Sequence, residues 1–203
     1  MKYIIACGSN HAKINGVPRQ MVEIGGERII DRTIRLLREN GVEDIAITAT
    51  DEVFESCGVP VIKYDSSGAW VNCFYPTDEP TCYIFGDVVF SEKAIETIVN
   101  TPTKDIEFFA SAPPFSKEYT RCWAEPFAFK VVNTDYFKAC IDKVKYHTAM
   151  HNFYRDPISW ELWQVIKNTP INNIIYDNYT VINDYTCDID EEKDIAGLRR
   201  ILG

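Results

Sequence analysis

Apolar and polar positions follow one another along the 203 residues in blocks whose period changes. Tyr3-Ile4-Ile5-Ala6-Cys7 is a short continuous apolar run, the pattern of a buried strand. Residues 27–40 switch to a helical period. Ile30, Ile34 and Leu37 share one stripe with Thr33, and Asp31 and Arg35 stand four apart on the polar side. Gly41 follows where a helix-ending glycine belongs. Ile45-Ala46-Ile47 predicts a second strand, and Val59 to Tyr64 a short third. Thr81 to Phe85 predicts the next, and it ends in Gly86-Asp87. Ser91, a favoured N-cap with Ala94 three positions on, opens a helix over 91–100.

The second half is less regular. Ile106 to Ala112 predicts a strand, and Glu125 to Val132 is an apolar run broken by Pro126. Helices are expected near 134–145 and 158–168, and late strands over Ile171 to Tyr176 and Tyr179 to Ile182. After Cys187-Asp188-Ile189-Asp190 a closing helix places Ile195, Leu198, Ile201 and Leu202 on its apolar side. The alternation of strand and helix over the first ninety residues implies an α/β fold with a parallel sheet covered on both faces. No repeat, low-complexity tract or linker interrupts the chain, so one domain over 1–203 is expected.

The net charge of −9 argues against a nucleic-acid surface, which needs clustered Lys and Arg, but leaves room for a small anionic ligand held by a few local cations. No apolar run approaches the ~18 residues of a membrane span, and the N-terminal run is too short for a signal peptide. Seven Cys, none in a C-x-x-C pair and several inside apolar runs, read as reduced core thiols of a cytoplasmic protein.

Ligands of open parallel sheets bind beyond the carboxyl ends of the strands. Two stretches lie there. In the first, Ala6 and Cys7 run into Gly8-Ser9-Asn10, a turn that can aim several backbone N–H groups at one point and make an anion nest. Lys13 and Arg19 can add charge to it. The competing reading is a surface connection with scattered cations; neither G-x-x-x-x-G-K-[ST] nor G-x-G-x-x-G is present. In the second stretch, Asp87 can hold a divalent cation that also touches phosphate, or can bond its own backbone as turn Asp residues do.

These stretches carry a resemblance. Ala6-Cys7-Gly8, Pro18-Arg19-Gln20 and Ile24-Gly25-Gly26-Glu27-Arg28-Ile29-Ile30 align without a gap on A-A-G-x-G-x-R-M, P-K-Q and I-x-G-x-P-L-I. Those motifs open the nucleotidyltransferases that join a nucleoside triphosphate to a sugar, alditol or alcohol phosphate. The spacing is similar to that of the methylerythritol-phosphate cytidylyltransferase, and phosphocholine cytidylyltransferases belong to the same family. Gly86-Asp87-Val88-Val89-Phe90 resembles its G-D-x-x-F corner, and Asp188 to Ile195 resembles its closing D-I-D-T-P-E-D-L. Three positions depart from the pattern: Asn10 for the second Gly, Ala12 for the Arg and Arg19 for the Lys.

The resemblance implies a three-layer α/β/α domain with a mainly parallel mixed sheet, like that of the nucleotide-diphospho-sugar transferases. It implies an Mg²⁺-dependent enzyme that transfers a nucleoside monophosphate, CTP favoured as donor, to a small phosphorylated acceptor with release of pyrophosphate. Lys13 and Arg19 would neutralise the phosphates. Ala6, Cys7, Gly8, Ser9, Asn10 and Gly86, with Ser67 and Gly68 of a polar segment between strands, would bind the nucleotide. Asp87 and Asp190 would hold the metal, with Asp188 in reserve. Capping of the closing helix is the competing role for the last two. A related glycosyltransferase and a nucleotide-binding relative without turnover stand as alternatives.

Other signals read as packing. His147 and His151 stand one helical turn apart without the Glu or third ligand of a zinc site. Tyr146, Phe153, Tyr154, Trp160 and Trp163 suggest core packing or a homodimer face, with a box for a quaternary ammonium as the alternative. Glu125 and Lys130 flank an apolar run and read as acceptor contacts or as surface charges.

Overall fold

A computed structural model of the chain describes residues 1–7, 13–66, 70–113 and 124–202. Gly8, Ser9, Asn10, Ala12, Ser67 and Gly68, all named above, lie outside the described residues.

The apolar N-terminal run forms β1 (Lys2–Ala6). Two small hairpins follow, β2 (Lys13–Ile14) with β3 (Val17–Pro18) and β4 (Glu23–Ile24) with β5 (Glu27–Arg28). A 3-10 turn at Arg19–Met21 separates them. Their tips, Asn15-Gly16 and Gly25-Gly26, all have positive φ, as two-residue hairpin turns require. Then come α1 (Ile29–Glu39), β6 (Ile45–Thr48), β7 (Val61–Ile62), β8 (Thr81–Phe85), β9 (Val88–Val89) and α2 (Glu92–Asn100). The second half holds β10 (Ile106–Ser111), β11 (Pro126–Val131), α3 (Thr134–Ala149), α4 (Ser159–Ile166), β12 (Thr180–Ile182), β13 (Cys187–Asp188) and α5 (Glu192–Leu202).

Seven strands make one sheet in the order β12-β10-β11-β8-β1-β6-β7. The half around β1 is parallel, with β1 paired to β6 and β8 and β6 to β7. Strand β11 runs antiparallel to both β8 and β10, which makes the sheet mixed. Pro126 is tolerated because it is the first residue of β11 and lies beyond a register shift at Phe109/Ala110. Alternate side chains of β1 serve opposite layers. Tyr3, Ile5 and Cys7 pack with α1 and α2, whereas Ile4 and Ala6 join the aromatic core under α3 and α4. This is the mainly parallel α/β architecture expected from the sequence.

Several local expectations hold. The Ser91 Oγ accepts from the Ala94 N–H at 2.9 Å, and Gly41 ends α1 with φ +78°. Others change. Arg28, just before α1, captures Asp31, while Arg35 instead bonds Glu27 and Glu39. Helix α3 runs to Ala149, past the expected end near 145. Residues 171–176 are not a strand. The Gln164 amide substitutes for a ladder there, donating to Ile175 O and accepting from its N–H, both at 3.3 Å. Ile201 points to solvent, whereas Ile195 and Leu198 are buried.

Lys130 is neither an acceptor contact nor a surface charge. It is 6% exposed, and its Nζ donates to Ile98 O, Val99 O and Thr101 O at 2.7–3.0 Å. An ammonium there satisfies the carbonyls left open at the end of α2 and complements the helix dipole.

Candidate active site

The carboxyl ends of β1 and β8 meet at a corner that only glycine fits. The Gly86 N–H donates to Ala6 O at 3.0 Å, and a Cβ on Gly86 would lie 2.6 Å from Cys7 Sγ and 3.2 Å from Ala6 O. The close approach turns the chain out of the sheet and sets Asp87 at the strand ends. Cys7 itself is fixed by its N–H to Thr48 O at 2.9 Å. Burial first, then the charge of Asp87, pushes its thiol well above the usual range, so it stays protonated and acts as a packing group.

The closing segment returns to the same corner. Strand β13 pairs antiparallel with β9, Asp188 opposite Val88, and the Ile189 N–H donates to Asp87 O at 3.0 Å. Asp87, from the middle of the chain, is thereby gathered with Asp188 and Asp190 from its closing segment. Asp194 caps the turn into α5, its Oδ2 accepting from the Asp190 and Glu191 N–H groups at 3.0 and 2.9 Å. Below, Ile14, Ile24, Ile29, Val89, Ile189, Ile195 and Leu198 form a small separate core. It clamps both N-terminal hairpins to the closing helix.

Arg19 reaches this centre from the 3-10 turn between the hairpins. Its Nη1 lies 2.5 Å from Asp190 Oδ1 and 3.9 Å from Asp87 Oδ2. Its Nε is buried with no hydrogen-bond partner among the described residues, and the same holds for Oε1 of the next residue, Gln20. Gln20 is 1% exposed and packs against Gly86. It stood in the Pro-Arg-Gln stretch of the sequence but drew no role there; its burial beside the corner is what singles it out. Lys13 is exposed on β2, at the foot of the first hairpin.

The electrostatics are those of crowded acids. Burial raises Asp87, while Arg19 opposes the shift and Asp190 adds to it. Burial pushes Asp188 up to about 8, with Glu125, Asp190, Asp87 and Asp194 all contributing in the same direction. Such a group of carboxylates favours a bound cation. Among the described residues, no three His, Cys, Asp or Glu side chains lie close enough to form a metal site unaided. A magnesium ion does not need that: one or two carboxylates suffice when phosphate and water complete the shell. Asp87 and Asp190, which already face one cationic nitrogen, fit this requirement.

A cavity of about 950 Å³ opens beside the acids, between the end of β10, the 183–188 segment and α5. Ala112, Glu125, Tyr185, Asp188, Asp190 and Arg200 are among its walls. Glu125, which the sequence offered as an acceptor contact or a surface charge, faces this space.

No family model and no curated protein sequence matches the chain. Solved structures do. A protein from Bacillus anthracis assigned as a glucose-1-phosphate thymidylyltransferase superposes with a TM-score of 0.62 at 12% identity, over 100% of this chain and 95% of its own. The fold is that of nucleotidyltransferases. CTP:phosphocholine cytidylyltransferase from Streptococcus pneumoniae gives 0.54 at 14% identity, covering 100% of this chain and 99% of its own. The inositol-1-phosphate CTP transferase from T. maritima gives 0.56 at 14%, covering 99% and 95%. The nucleotidyltransferase fold thus extends over nearly the whole chain, as the three sequence motifs implied.

The aromatic and histidine signals divide between the core and the surface. Trp160 and Trp163 are core residues, their indole N–H groups donating to Ala124 O at 2.7 Å and Asp177 O at 3.1 Å. Tyr154 is 90% exposed and Tyr146 lies outside the core, so these rings do not close into a box. His151 falls beyond α3 with φ +53°, so it does not share a helix face with His147. The six described cysteines are free thiols, and among the described residues no helix is long and apolar enough to cross a membrane.

Proposed function

We propose that the chain is an Mg²⁺-dependent nucleotidyltransferase that transfers a nucleoside monophosphate, with CTP as donor, to a small phosphorylated alcohol or sugar. The single observation that carries this reading is the meeting of Arg19, Asp87 and Asp190 at the strand ends. The choice of CTP draws on two of the three similar structures, whose names specify it.

In this reading the opening turn after Cys7 receives the triphosphate, with Lys13 and Arg19 opposing its charge. Asp87 and Asp190 hold the metal, which when bound neutralises phosphate charge and orients the donor. An oxygen of the acceptor phosphate attacks the α-phosphorus in line. The bond from that phosphorus to the bridging oxygen breaks, and pyrophosphate leaves with the electron pair. No proton need be removed from an ionised acceptor phosphate, so the residues present contribute position and charge without a general base. The acceptor occupies the cavity beside Asp188 and Asp190, which adjoins the reacting centre and has room for a small molecule.

Pyrophosphate release from each nucleoside triphosphate, in turn with sugar, alditol and amino-alcohol phosphates, tests the reading. Turnover with at least one pair, lost on chelation of Mg²⁺, is expected. Transfer from a sugar nucleotide with none from any free triphosphate would identify a glycosyltransferase instead.

A further inference from the structure

One nitrogen of Arg19 faces both acids, at 2.5 Å from Asp190 and 3.9 Å from Asp87. A magnesium ion lies about 2.0–2.1 Å from its oxygen ligands. The Asp190 oxygen that the guanidinium holds cannot also ligate a metal without bringing two cations to contact distance, so Arg19 and a metal compete for it. A metal that takes this oxygen displaces the guanidinium, which then faces another anion.

The pair is built to be given up. Asp190 is 60% exposed, and ion pairs this open to water are weakened by screening. The Asp190 backbone, by contrast, is pinned by Asp194, so the carboxylate stays when the guanidinium leaves. The Arg19 Nε is a buried donor with no hydrogen-bond partner among the described residues, which leaves the guanidinium under-used where it stands.

We propose that Arg19 is an exchangeable counter-ion. It holds the Asp87–Asp190 pair together in the metal-free protein and passes to a phosphate when a divalent cation takes the carboxylates. Metal and triphosphate then favour each other's binding through this one side chain, and by linkage the coupling is reciprocal. The phosphate half of the exchange rests on the function proposed above; the competition between Arg19 and metal does not.

Two binding measurements test the exchange without any turnover. In the first, Mn²⁺ alone is titrated into the full chain and its Arg19→Gln and Arg19→Lys variants. Removing the competing cation is expected to tighten Mn²⁺ binding about fivefold, the equivalent of ~1 kcal/mol, while Lys, which keeps the charge, stays near the parent. In the second, inorganic tripolyphosphate is titrated in chelator into Asp190→Asn. Releasing Arg19 from its nearest acid is expected to tighten this metal-free binding about threefold or more, although the same variant weakens Mn²⁺. Loss of a like charge alone predicts the same tripolyphosphate gain from Asp190→Asn with or without Arg19, whereas exchange predicts the gain only where Arg19 is present. Asp190→Asn is therefore also titrated in the Arg19→Gln background, and an equal gain there overturns the proposal. Equal or weaker Mn²⁺ binding by Arg19→Gln overturns the proposal, as does unchanged tripolyphosphate binding by Asp190→Asn. If both gains appear in a chain that turns over no substrate, the exchange stands and the catalytic reading falls. Turnover without either gain means the reverse.

Discussion

Replacing Asp188 by Asn should stabilise the metal-free protein, and by an amount that grows with pH. Asp188 is buried beside the cavity among four other acids, and its carboxyl is pushed from 3.8 up to about 8. Between those values the folded state keeps a proton that the unfolded chain has lost, so stability falls as pH rises through the window and levels off above about pH 8. Taken whole, a shift of about four units is worth ~5–6 kcal/mol at 1.36 kcal/mol per unit. Water and side-chain relaxation lower that figure, because effective dielectric constants near 20 describe such sites better than a dry interior. An increment of ~2 kcal/mol is therefore expected in the variant at pH 8.5. Near pH 3.5 the carboxyl is largely protonated in the folded and the unfolded chain alike and the carboxamide has the same shape, so the two proteins should agree within ~0.5 kcal/mol there, with most of the gap opening between pH 4 and 6. Urea unfolding in chelator at pH 3.5, 5 and 8.5 measures this. A variant that is no more stable than the parent at pH 8.5 would refute the picture of uncompensated acids.

Lys130→Met should destabilise the fold by ~2–4 kcal/mol in urea unfolding, since three charge-assisted bonds to the end of α2 disappear and their carbonyls stay buried; a cost below ~0.5 kcal/mol would show the ammonium to be dispensable. Gly86→Ala should lower both the melting temperature and ligand affinity, because its Cβ would sit 2.6 Å from Cys7 Sγ, and pairing it with Cys7→Ala should recover part of the loss. Gly25→Ala meets the Leu202 carbonyl at 2.5 Å in a left-handed turn of φ +62°. It should loosen α5, seen as faster amide exchange there, and leave the central strands unchanged.

The architecture was legible because buried runs and helical stripes are local patterns. β1, β8, α1 and the Ser91 cap could all be read from neighbours within a few residues. The corner at Gly86-Asp87 and the closing Asp188-Ile189-Asp190 were legible for a different reason: each sits at the end of a strand or the start of a helix, where side chains converge. What could not be read depends on partners far along the chain. Lys130 looked like a surface charge because nothing nearby in sequence reveals that β11 runs beneath the end of α2. Ile171 to Tyr176 looked like a strand, but the Gln164 side chain supplies the bonds a ladder would have made. The hairpins on either side of Arg19 were not read, although Asn15-Gly16 and Gly25-Gly26 form their tips. Their strands, however, are two residues long, too short for any hydrophobic period. The contact of Arg19 with Asp190 spans 171 residues and emerges only from the fold.

The most direct test of the central claim is a crystal of the protein grown with Mn²⁺ and a non-hydrolysable CTP analogue, with the manganese located by its anomalous signal. A peak bridging Asp87 and Asp190, with the triphosphate lying beside Cys7 at the end of β1 and Arg19 turned toward it, is the predicted result. Manganese bound elsewhere on the molecule, or a triphosphate seated away from the ends of β1 and β8, would contradict it.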